Sequence, residues 1–212
     1  MNQNLSEKVI KRLTLYHFIL LECEQSGLEY VSSPRIAELL NIDNSQVRKD
    51  IKMVNNVGKC KIGYEVKKLR RSIEETLGFK KPKNAFIIGA GNIGTALIKY
   101  EDLKDYGLNI LALFDNNPLK IGMMINSKEV FHFSELPNLV QKLGVDIAIL
   151  TVPKEVAQNC ADMLVEAGIK YIWNFTPRVL KVKKNVRVWN ENLIGNFLQF
   201  VAEDKVVDDD RD

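Results

Sequence analysis

The first 80 residues carry apolar side chains at helical spacing. Between Ser6 and Gln25 these side chains recur every three or four positions, which is the period of one amphipathic helix that closes near Gly27. One face of this helix is therefore expected to lie in a core. Its apolar residues are Val9, Ile10, Leu13, Tyr16, Ile19, Leu20 and Cys23.

Two shorter helices are predicted next, each with its own start signal. In VSSPRIAELLNID, a serine N-cap precedes Pro34 at the first helical position. In DNSQVRKDIKMV, Asp43 is the predicted N-cap, and Gln46 follows at the spacing of a capping box. The face opposite the apolar residues of this second helix is polar and basic. Its candidate DNA-contacting residues are Ser45, Gln46, Arg48, Lys49 and Lys52.

This pair of helices has the pattern of a helix-turn-helix, in which the second helix enters a major groove. The following stretch, NNVGKCKIGYEV, is punctuated by two glycines and predicts a hairpin wing, with Lys59 and Lys61 placed for phosphates. VKKLRRSIEETLGF adds a basic helix, and the proline of KKPKN marks a linker. We therefore assign residues 1–80 to a winged-helix DNA-binding domain.

The second half alternates short β-rich runs with helical windows, which predicts a parallel sheet flanked by helices. The predicted strands are NAFIIG, NILALFD, VDIAILTVP, KYIWNF and VRVW. An apolar stripe after them exceeds what one small sheet needs to cover, and so predicts a dimerisation helix. The fold class is thus α/β, with a Rossmann-like domain over residues 84–190, a C-terminal helix over 191–203 and an acidic tail over 204–212.

The turn GAGNIG in NAFIIGAGNIGTALIKY follows a strand and opens a helix, which is the context of a dinucleotide-binding turn. Gly89 permits the tight turn, Gly91 lets a diphosphate approach the backbone, and Gly94 lets helix and strand pack closely. Asp115 ends the next strand, where a carboxylate accepts from ribose hydroxyls and repels a 2′-phosphate. The predicted cofactor is NAD(H) rather than NADP(H), although Asp115 also suits a solvated turn.

Further candidate residues lie where the remaining strands end, because Rossmann folds bind ligands at the carboxyl edge of the sheet. Phe175 is placed to cover a nicotinamide ring, with a core position as the equal alternative. The candidate cofactor-binding residues are Gly89, Ala90, Gly91, Asn92, Ile93, Gly94, Asp115, Thr151, Val152, Pro153, Asn174 and Phe175.

Charge and composition narrow the class of protein. Residues 45–83 hold 12 Lys and Arg against 4 Asp and Glu, which indicates a polyanionic partner, with a solvated helix face as the alternative. No stretch approaches the apolar length of a membrane span, and no secretory signal is recognisable. The three cysteines share no metal-type spacing and suit a reducing compartment, so we expect a cytoplasmic protein without a metal site.

Catalytic residues are not apparent in the sequence. The two histidines, His17 and His132, lack an evident carboxylate partner in a cleft, and a dehydrogenase needs a proton donor or acceptor near the transferred hydride. Binding without turnover is therefore favoured. The alternatives are a small NAD-dependent oxidoreductase with a fused basic domain, and a regulator that senses another nucleotide such as a CoA derivative.

Over nearly its whole length the chain resembles the Rex family of redox-sensing transcriptional repressors. The resemblance rests on KRLTLYHFIL, VSSPRIAELLNIDNSQVRKD, GAGNIGTALIKY, FDNNPLKIG, DIAILTVP, EAGIKYIWNFTP and VRVWNENL. It implies a homodimer with a domain-swapped C-terminal helix, which binds a palindromic double-stranded operator and releases it when NADH rises relative to NAD⁺. It also implies a sensing role for Tyr100 and places Arg48, Lys49 and Asp50 in the recognition helix.

The chain departs from the family pattern at two places. In the wing, Cys60 stands where arginine is usual and Lys61 where glycine is usual. Before the C-terminal helix, Asn192 matches a position where the family commonly has an aspartate that couples nucleotide to domain orientation. An amide cannot form the same charge-assisted bond with Arg12 or another basic residue.

Overall fold

A computed structural model describes residues 5–55, 58–59, 62–79 and 81–209. These residues form two compact units, Met1–Lys81 and Pro82–Asp212. Four residues of the predicted wing, Asn56, Val57, Cys60 and Lys61, lie outside the described part of the chain.

The N-terminal unit is helical with one short two-stranded sheet. Its helices are α1 (Glu7–Gln25), α2 (Ser33–Leu40), α3 (Asn44–Met53) and α4 (Val66–Leu77), and strand β1 (Tyr30–Val31) pairs antiparallel with β2 (Tyr64–Glu65). Of the apolar residues predicted for the buried face of α1, all but Ile10 lie in one core with residues of α2, α3 and α4, whereas Ile10 is 42% exposed. The fully buried residues of this core include Leu13, Tyr16, Leu20, Ile36, Val47, Ile51, Val66, Leu69 and Ile73.

The helix starts of this unit follow the sequence signals with two differences. The N-cap of α2 is Ser32, whose Oγ accepts from the Arg35 amide, so Pro34 is the second helical residue rather than the first. In α3, Asp43 is the N-cap as predicted, but Gln46 does not close a capping box. Its side-chain amide donates instead to Asp50 Oδ1 at 2.8 Å. The buried carboxylate of Asp50, one turn further along α3, is therefore the acceptor for the Gln46 side chain.

Asp50 is fully buried and joins α3 to α1. Arg12 donates to it twice, from Nε to Oδ2 at 2.6 Å and from Nη2 to Oδ1 at 2.9 Å, and Tyr16 Oη donates to Oδ2 at 2.8 Å. Burial alone would raise the pKa of Asp50, but the hydrogen bonds from its partners outweigh that effect and hold the pKa below its usual range. Asp50 is therefore a structural anchor of α3 and does not face solvent.

The C-terminal unit is built on a seven-stranded sheet. The strands are β3 (Lys83–Ile88), β4 (Leu108–Asp115), β5 (Met124–Ile125), β6 (Lys128–His132), β7 (Ile147–Leu150), β8 (Tyr171–Asn174) and β9 (Arg187–Asn190), in the spatial order β5-β6-β4-β3-β7-β8-β9. The helices are α5 (Asn92–Lys99), α6 (Asp102–Asp105), α7 (Leu136–Leu143), α8 (Ala157–Glu166) and α9 (Leu193–Asp209), with a 3₁₀ turn at Phe133–Glu135.

All pairs in this sheet are parallel except β5 with β6. The order of the six parallel strands is that of a doubly wound dinucleotide-binding fold. Strand order reverses between β3 and β7, which leaves a crevice outside their carboxyl ends. Phe86 and Phe114 pack edge to face in the core beneath, with ring centroids 5.0 Å apart.

The hydrophobic pattern of the sequence does not predict two elements of this unit. The hairpin β5–β6 turns at Asn126 and Ser127, whose φ angles of 46° and 60° are left-handed. Its strands are short, and only Val130 of β6 is fully buried, so little alternation marks them. Helix α6 has four residues and none of them is buried.

Helix α9 runs past the predicted end at residue 203 to Asp209. Asn192 Oδ1 accepts from the Gly195 amide at 2.8 Å and so caps its first turn. Six apolar residues in the first half of α9 are solvent-exposed, namely Leu193, Ile194, Phe197, Leu198, Phe200 and Val201. Within the described ranges, no helix is long and apolar enough to cross a lipid bilayer.

Candidate functional site

The glycine turn lies at the point where β3 ends and α5 begins. Gly89 has a φ of 102°, a left-handed conformation that favours glycine, and its amide donates to the Phe114 carbonyl at 2.8 Å. A Cβ added to Gly89 would stand 3.0 Å from the carbonyl oxygen of Thr151. The hydroxyl of Thr151 lies 2.9 Å from the Ile88 carbonyl and 2.8 Å from that of Gly89, and so ties β7 to this turn.

The other two glycines of the fingerprint differ in what they require. A Cβ on Gly94 would come within 2.1 Å of the Gly89 carbonyl oxygen and 2.9 Å of Thr151 Oγ1, so the packing of α5 on the sheet excludes any side chain there. A Cβ on Gly91 would meet no protein atom within 4 Å. Gly91 is the N-cap of α5, and no side chain caps the helix there. Its open surroundings and the free amide end of α5 suit an anion at the backbone.

Asp115 lies at the end of β4, beside this turn. Its Oδ2 accepts from the Ala90 amide at 2.9 Å and from Lys120 Nζ at 3.2 Å, and its Oδ1 accepts from the Asn117 amide at 2.9 Å. Burial alone would raise the pKa of Asp115, but these hydrogen bonds and the ammonium charge outweigh it and lower the pKa. The carboxylate is therefore ionised and held in one orientation.

Lys120 was not among the residues predicted from the sequence. It lies five positions after Asp115 in FDNNPLK, and the turn between them brings the two side chains together. A basic residue within one turn of an expected ribose carboxylate is the only signal that the sequence offers for it.

A cavity of about 680 Å³ opens in the crevice outside β3 and β7, which is within the usual range for small-molecule sites. One part of its wall is apolar, with Ile88, Phe114, Phe133, Val152, Val156 and Cys160. The predicted residues that line it are Gly89, Gly91, Asn92, Ile93, Asp115, Thr151, Val152 and Pro153. The structure thus brings the glycine turn, the end of β4 and the end of β7 to one cavity.

Four other predicted residues do not line this cavity. Ala90 contributes its amide to Asp115, and Gly94 is buried against the turn. Asn174 is fully buried: its Oδ1 accepts from the Thr176 amide and hydroxyl, and its Nδ2 donates to the Arg178 carbonyl.

Phe175 is the fourth of these residues. It packs against Trp173, with ring centroids 4.9 Å apart, beside the core cluster that contains Ile87 and Ile149. That position matches the core alternative for this phenylalanine.

Tyr100 also lies away from the cavity. It follows α5, is 58% exposed and borders a separate depression with Glu101 and Asp102. The roles of Tyr100, Asn174 and Phe175 towards a nucleotide stay predictions.

The basic face of α3 is presented to solvent. Ser45, Arg48, Lys49 and Lys52 are exposed, and Arg48 Nε donates to Ser33 Oγ at 3.1 Å. Gln46 is half-buried. In the described part of the wing, Lys59 pairs with Gly63 in a β-bridge and donates from Nζ to Tyr30 Oη at 2.9 Å.

The histidines do not lie at the cavity. His17 is buried in the N-terminal unit, with its Nε2 3.2 Å from Glu74 Oε1. His132 ends β6, and its Nδ1 accepts from the Ser134 amide. Among the described residues, no group of three or more His, Cys, Asp or Glu is arranged to hold a metal ion.

Comparisons with known proteins agree with this architecture. Residues 80–178 match the family model described as CoA binding domain, and residues 4–51 match the model described as putative DNA-binding protein N-terminus. The redox-sensing transcriptional repressor Rex of Treponema denticola is 45% identical over 89% of this chain and 90% of its own length. The Rex repressor of Bacteroides fragilis is 40% identical over 90% of this chain and 87% of its own length.

Solved structures resemble the whole chain as well. The crystal structure of RSP, a Rex-family repressor, superposes with a TM-score of 0.86 at 35% identity, and covers 99% of this chain and 100% of RSP. RSP in complex with β-NAD⁺ and operator DNA gives a TM-score of 0.89 at 34% identity over 98% of this chain and 97% of RSP. The matching fold combines an N-terminal DNA-binding domain with a Rossmann-like domain.

The two glycines Gly91 and Gly94 should respond in opposite ways to substitution. Gly91→Val should abolish NADH binding, because a side chain would fill the open space at the helix start. Its unfolding free energy should fall by only about 1 kcal/mol, since valine is a poorer N-cap than glycine. Gly94→Ala should destabilise the domain by roughly 1–3 kcal/mol, because its Cβ collides with backbone. Urea denaturation and calorimetry measure both effects. Unaltered NADH affinity in Gly91→Val would show that the diphosphate lies elsewhere.

Proposed function

The chain belongs to the Rex family of redox-sensing transcriptional repressors, and we propose that it binds operator DNA as a homodimer and releases it when NADH rises relative to NAD⁺. The observation that carries this proposal is the pairing of two separate features in one chain. One unit presents a basic helix to solvent, and the other holds a cavity built around a dinucleotide-type glycine turn. The similar repressor RSP has been crystallised with β-NAD⁺ and operator DNA, and with β-NADH.

The residues at the cavity fit an NAD(H) molecule. The open backbone at Gly91 would receive the diphosphate, and the ionised carboxylate of Asp115 would accept from the ribose hydroxyls. The nicotinamide end would lie beyond the switch point, towards Val152 and Pro153 after β7. The cofactor supplies the redox signal, since its oxidised ring is a cation and its reduced ring is neutral. Val156 and Cys160 give that end an apolar wall, which favours a neutral ring over a charged one.

Sensing requires that the two redox forms differ in their affinity for two conformations of the protein. A ligand shifts an equilibrium only by its differential affinity for the states it connects. We therefore place the discrimination at the apolar end of the cavity, since the glycine turn and Asp115 contact parts of the molecule that the two forms share. Tyr100 remains a candidate for relaying this difference.

The chain is a DNA-binding regulator and not an enzyme. Relatives that match about nine-tenths of its length are named as transcriptional repressors, whereas the oxidoreductase alternative would need a proton donor or acceptor beside the nicotinamide. The CoA alternative is less well supported because Asp115 suits a ribose with free hydroxyls. We place the protein in the cytoplasm, with its DNA target, and Cys23 and Cys160 are free thiols, as a reducing compartment favours.

For DNA contact we propose the exposed face of α3 in the major groove, with Lys59 and Lys61 on phosphates. Arg48 is the best-placed base reader, because its guanidinium is held by Ser33 at the start of α2. Lys49 and Lys52 extend the positive charge along the same helix. Gln46 would have to leave Asp50 before it contacts a base, so its contribution to base reading is smaller.

For the homodimer we propose that α9 packs on a second copy of the chain. Its six large apolar side chains between Leu193 and Val201 are exposed in the described structure, with Phe197 61% and Phe200 71% exposed. A two-fold axis would place two α3 helices on two half-sites of a palindromic operator.

Operator release by NADH is the direct test of the function. We expect that titrating the full-length protein with NADH weakens its binding to operator DNA by at least about tenfold, and that NAD⁺ at the same concentration does not. Fluorescence anisotropy with a labelled operator selected from random DNA measures both. A protein that binds an operator with the same affinity in NADH and NAD⁺ is not a redox sensor.

Variants of α3 should separate base reading from phosphate contact. Arg48→Ala should cost roughly 1–3 kcal/mol in operator binding and relax specificity, whereas Lys52→Ala should weaken binding to all sequences and reduce the salt slope by about one. Lys8→Ala, at an exposed lysine of α1, is the matched control and should leave the slope unchanged. The assignment fails if Lys52→Ala and Lys8→Ala behave alike.

Removing α9 should abolish dimerisation. A chain that stops after Glu191 should sediment as a monomer or aggregate, and it should have no operator affinity at about micromolar concentration, since a single half-site then carries all the binding. Analytical ultracentrifugation and anisotropy measure this. If the truncated chain is still a dimer, α9 is not the interface.

A further inference from the structure

The carboxylate of Asp115 already has three donors before any nucleotide arrives. The Ala90 and Asn117 amides approach it at 2.9 Å each, and Lys120 Nζ lies 3.2 Å from Oδ2. An ionised carboxylate has about four acceptor positions, so two ribose hydroxyls cannot both bind while all three donors remain. One of the donors has to give way.

Lys120 is the donor that can move. The other two are backbone amides fixed by the glycine turn and by the turn after β4. Lys120 has a flexible side chain that is 34% exposed, against 16% for Asp115. Its ammonium can therefore swing off Oδ2 while the carboxylate stays in place on the two amides.

The structure also offers a space that the Lys120 side chain can enter. Lys120 borders the main cavity and also a second depression beside the glycine turn. The depression is lined by Ala90, Gly91, Asn92, Thr95, Ala96, Lys99 and Lys120. Two lysines thus flank the side of the turn next to the ribose carboxylate, and no acidic residue lines the depression.

We propose that Lys120 is a specificity-determining residue, which weakens the rejection of a ribose 2′-phosphate that Asp115 alone would impose. This proposal rests on the proposed NAD(H) site. With Lys120 present, the pair at the ribose has no net charge, and a displaced ammonium meets the 2′-phosphate of an NADPH molecule at the mouth of the depression. With NADH, the ribose hydroxyls bind the carboxylate of Asp115, and the ammonium of Lys120 is exposed to solvent. The protein consequently binds NADH best but also binds NADPH.

The test compares NADH and NADPH affinities of the full-length protein by calorimetry. In Lys120→Met, which keeps the aliphatic stem, NADPH should bind about tenfold more weakly, the loss of one charge-assisted hydrogen bond, whereas the NADH affinity should change by less than about threefold. Lys120→Arg should restore the wild-type ratio of the two affinities. Lys99→Met is the matched control, because Lys99 borders the same depression without a hydrogen bond to Asp115.

The possible results distinguish a failure of the Lys120 proposal from a failure of the proposed NAD(H) site. If the wild-type protein does not bind NADH, the nucleotide site itself is misplaced. If it binds NADH and the ratio of affinities is the same in Lys120→Met as in the wild type, Lys120 has no part in specificity. A ratio that widens equally in Lys99→Met would also overturn the proposal, since general positive charge would then explain it. A widened ratio in Lys120→Met that Lys120→Arg restores supports it.

Discussion

The close approach of helix α5 to the end of strand β3 is the constraint on which the nucleotide half of the molecule depends. The space between Gly94 and the Gly89 carbonyl is too small for a methyl group, and the Thr151 hydroxyl closes the same gap from β7. This contact sets the position at which α5 begins, and hence the direction in which its free amides point. Gly91, the one fingerprint glycine that no protein atom crowds, stands at that opening. The fold thus leaves room at the place where a diphosphate is expected.

Each unit contains a carboxylate that accepts several hydrogen bonds and lies at the element proposed to bind a ligand. Asp50 orients α3, and Asp115 lies beside the glycine turn. Asp50 is fully buried, and its charge is tolerable only because a guanidinium, a phenol and an amide all donate to it. Its bonds fix α3 against α1 and leave the opposite face of α3 to solvent. Asp115 is less buried, and one of its donors is the ammonium of Lys120, a side chain that is 34% exposed. The difference suits their roles. A structural carboxylate such as Asp50 is most stable when protein donors fill all its acceptor positions, whereas a ligand-binding carboxylate such as Asp115 needs an acceptor position at which a ligand can replace a protein donor.

Most of the fold follows from patterns that are local in sequence. The sequence alone indicates burial for the apolar stripe of α1 and for the hydrophobic runs of β3, β4 and β7, and it marks the glycine turn. The order of the elements and the place of the crevice were therefore predictable. Contacts that compete with these local signals, or that depend on how a loop folds, were not. Gln46 has the spacing of a capping box but bonds to Asp50, since the aspartate is brought within reach by the helix itself. Asn174 follows the rule that strand ends bind ligands, yet its amide is used to hold the loop after β8. The contact between Lys120 and Asp115 could be identified only from the structure, because the turn after β4 brings the two side chains together.

The asparagine before α9 shows how a family departure can keep one function of a residue and lose another. Asn192 caps the helix through Oδ1, as an aspartate would, so the substitution preserves the helix start. It removes the negative charge that a salt bridge would need. Arg12, the basic residue considered as its partner, is already held by both oxygens of Asp50 in its own unit. Arg12 binds Asp50 with Nε and Nη2, so Nη1 is the part of its guanidinium that an Arg12–Asn192 contact would use. Such a contact would join a cation to a neutral amide oxygen, which is weaker than the charge-assisted bond between arginine and a carboxylate, so the asparagine keeps the helix start but weakens any link of this kind.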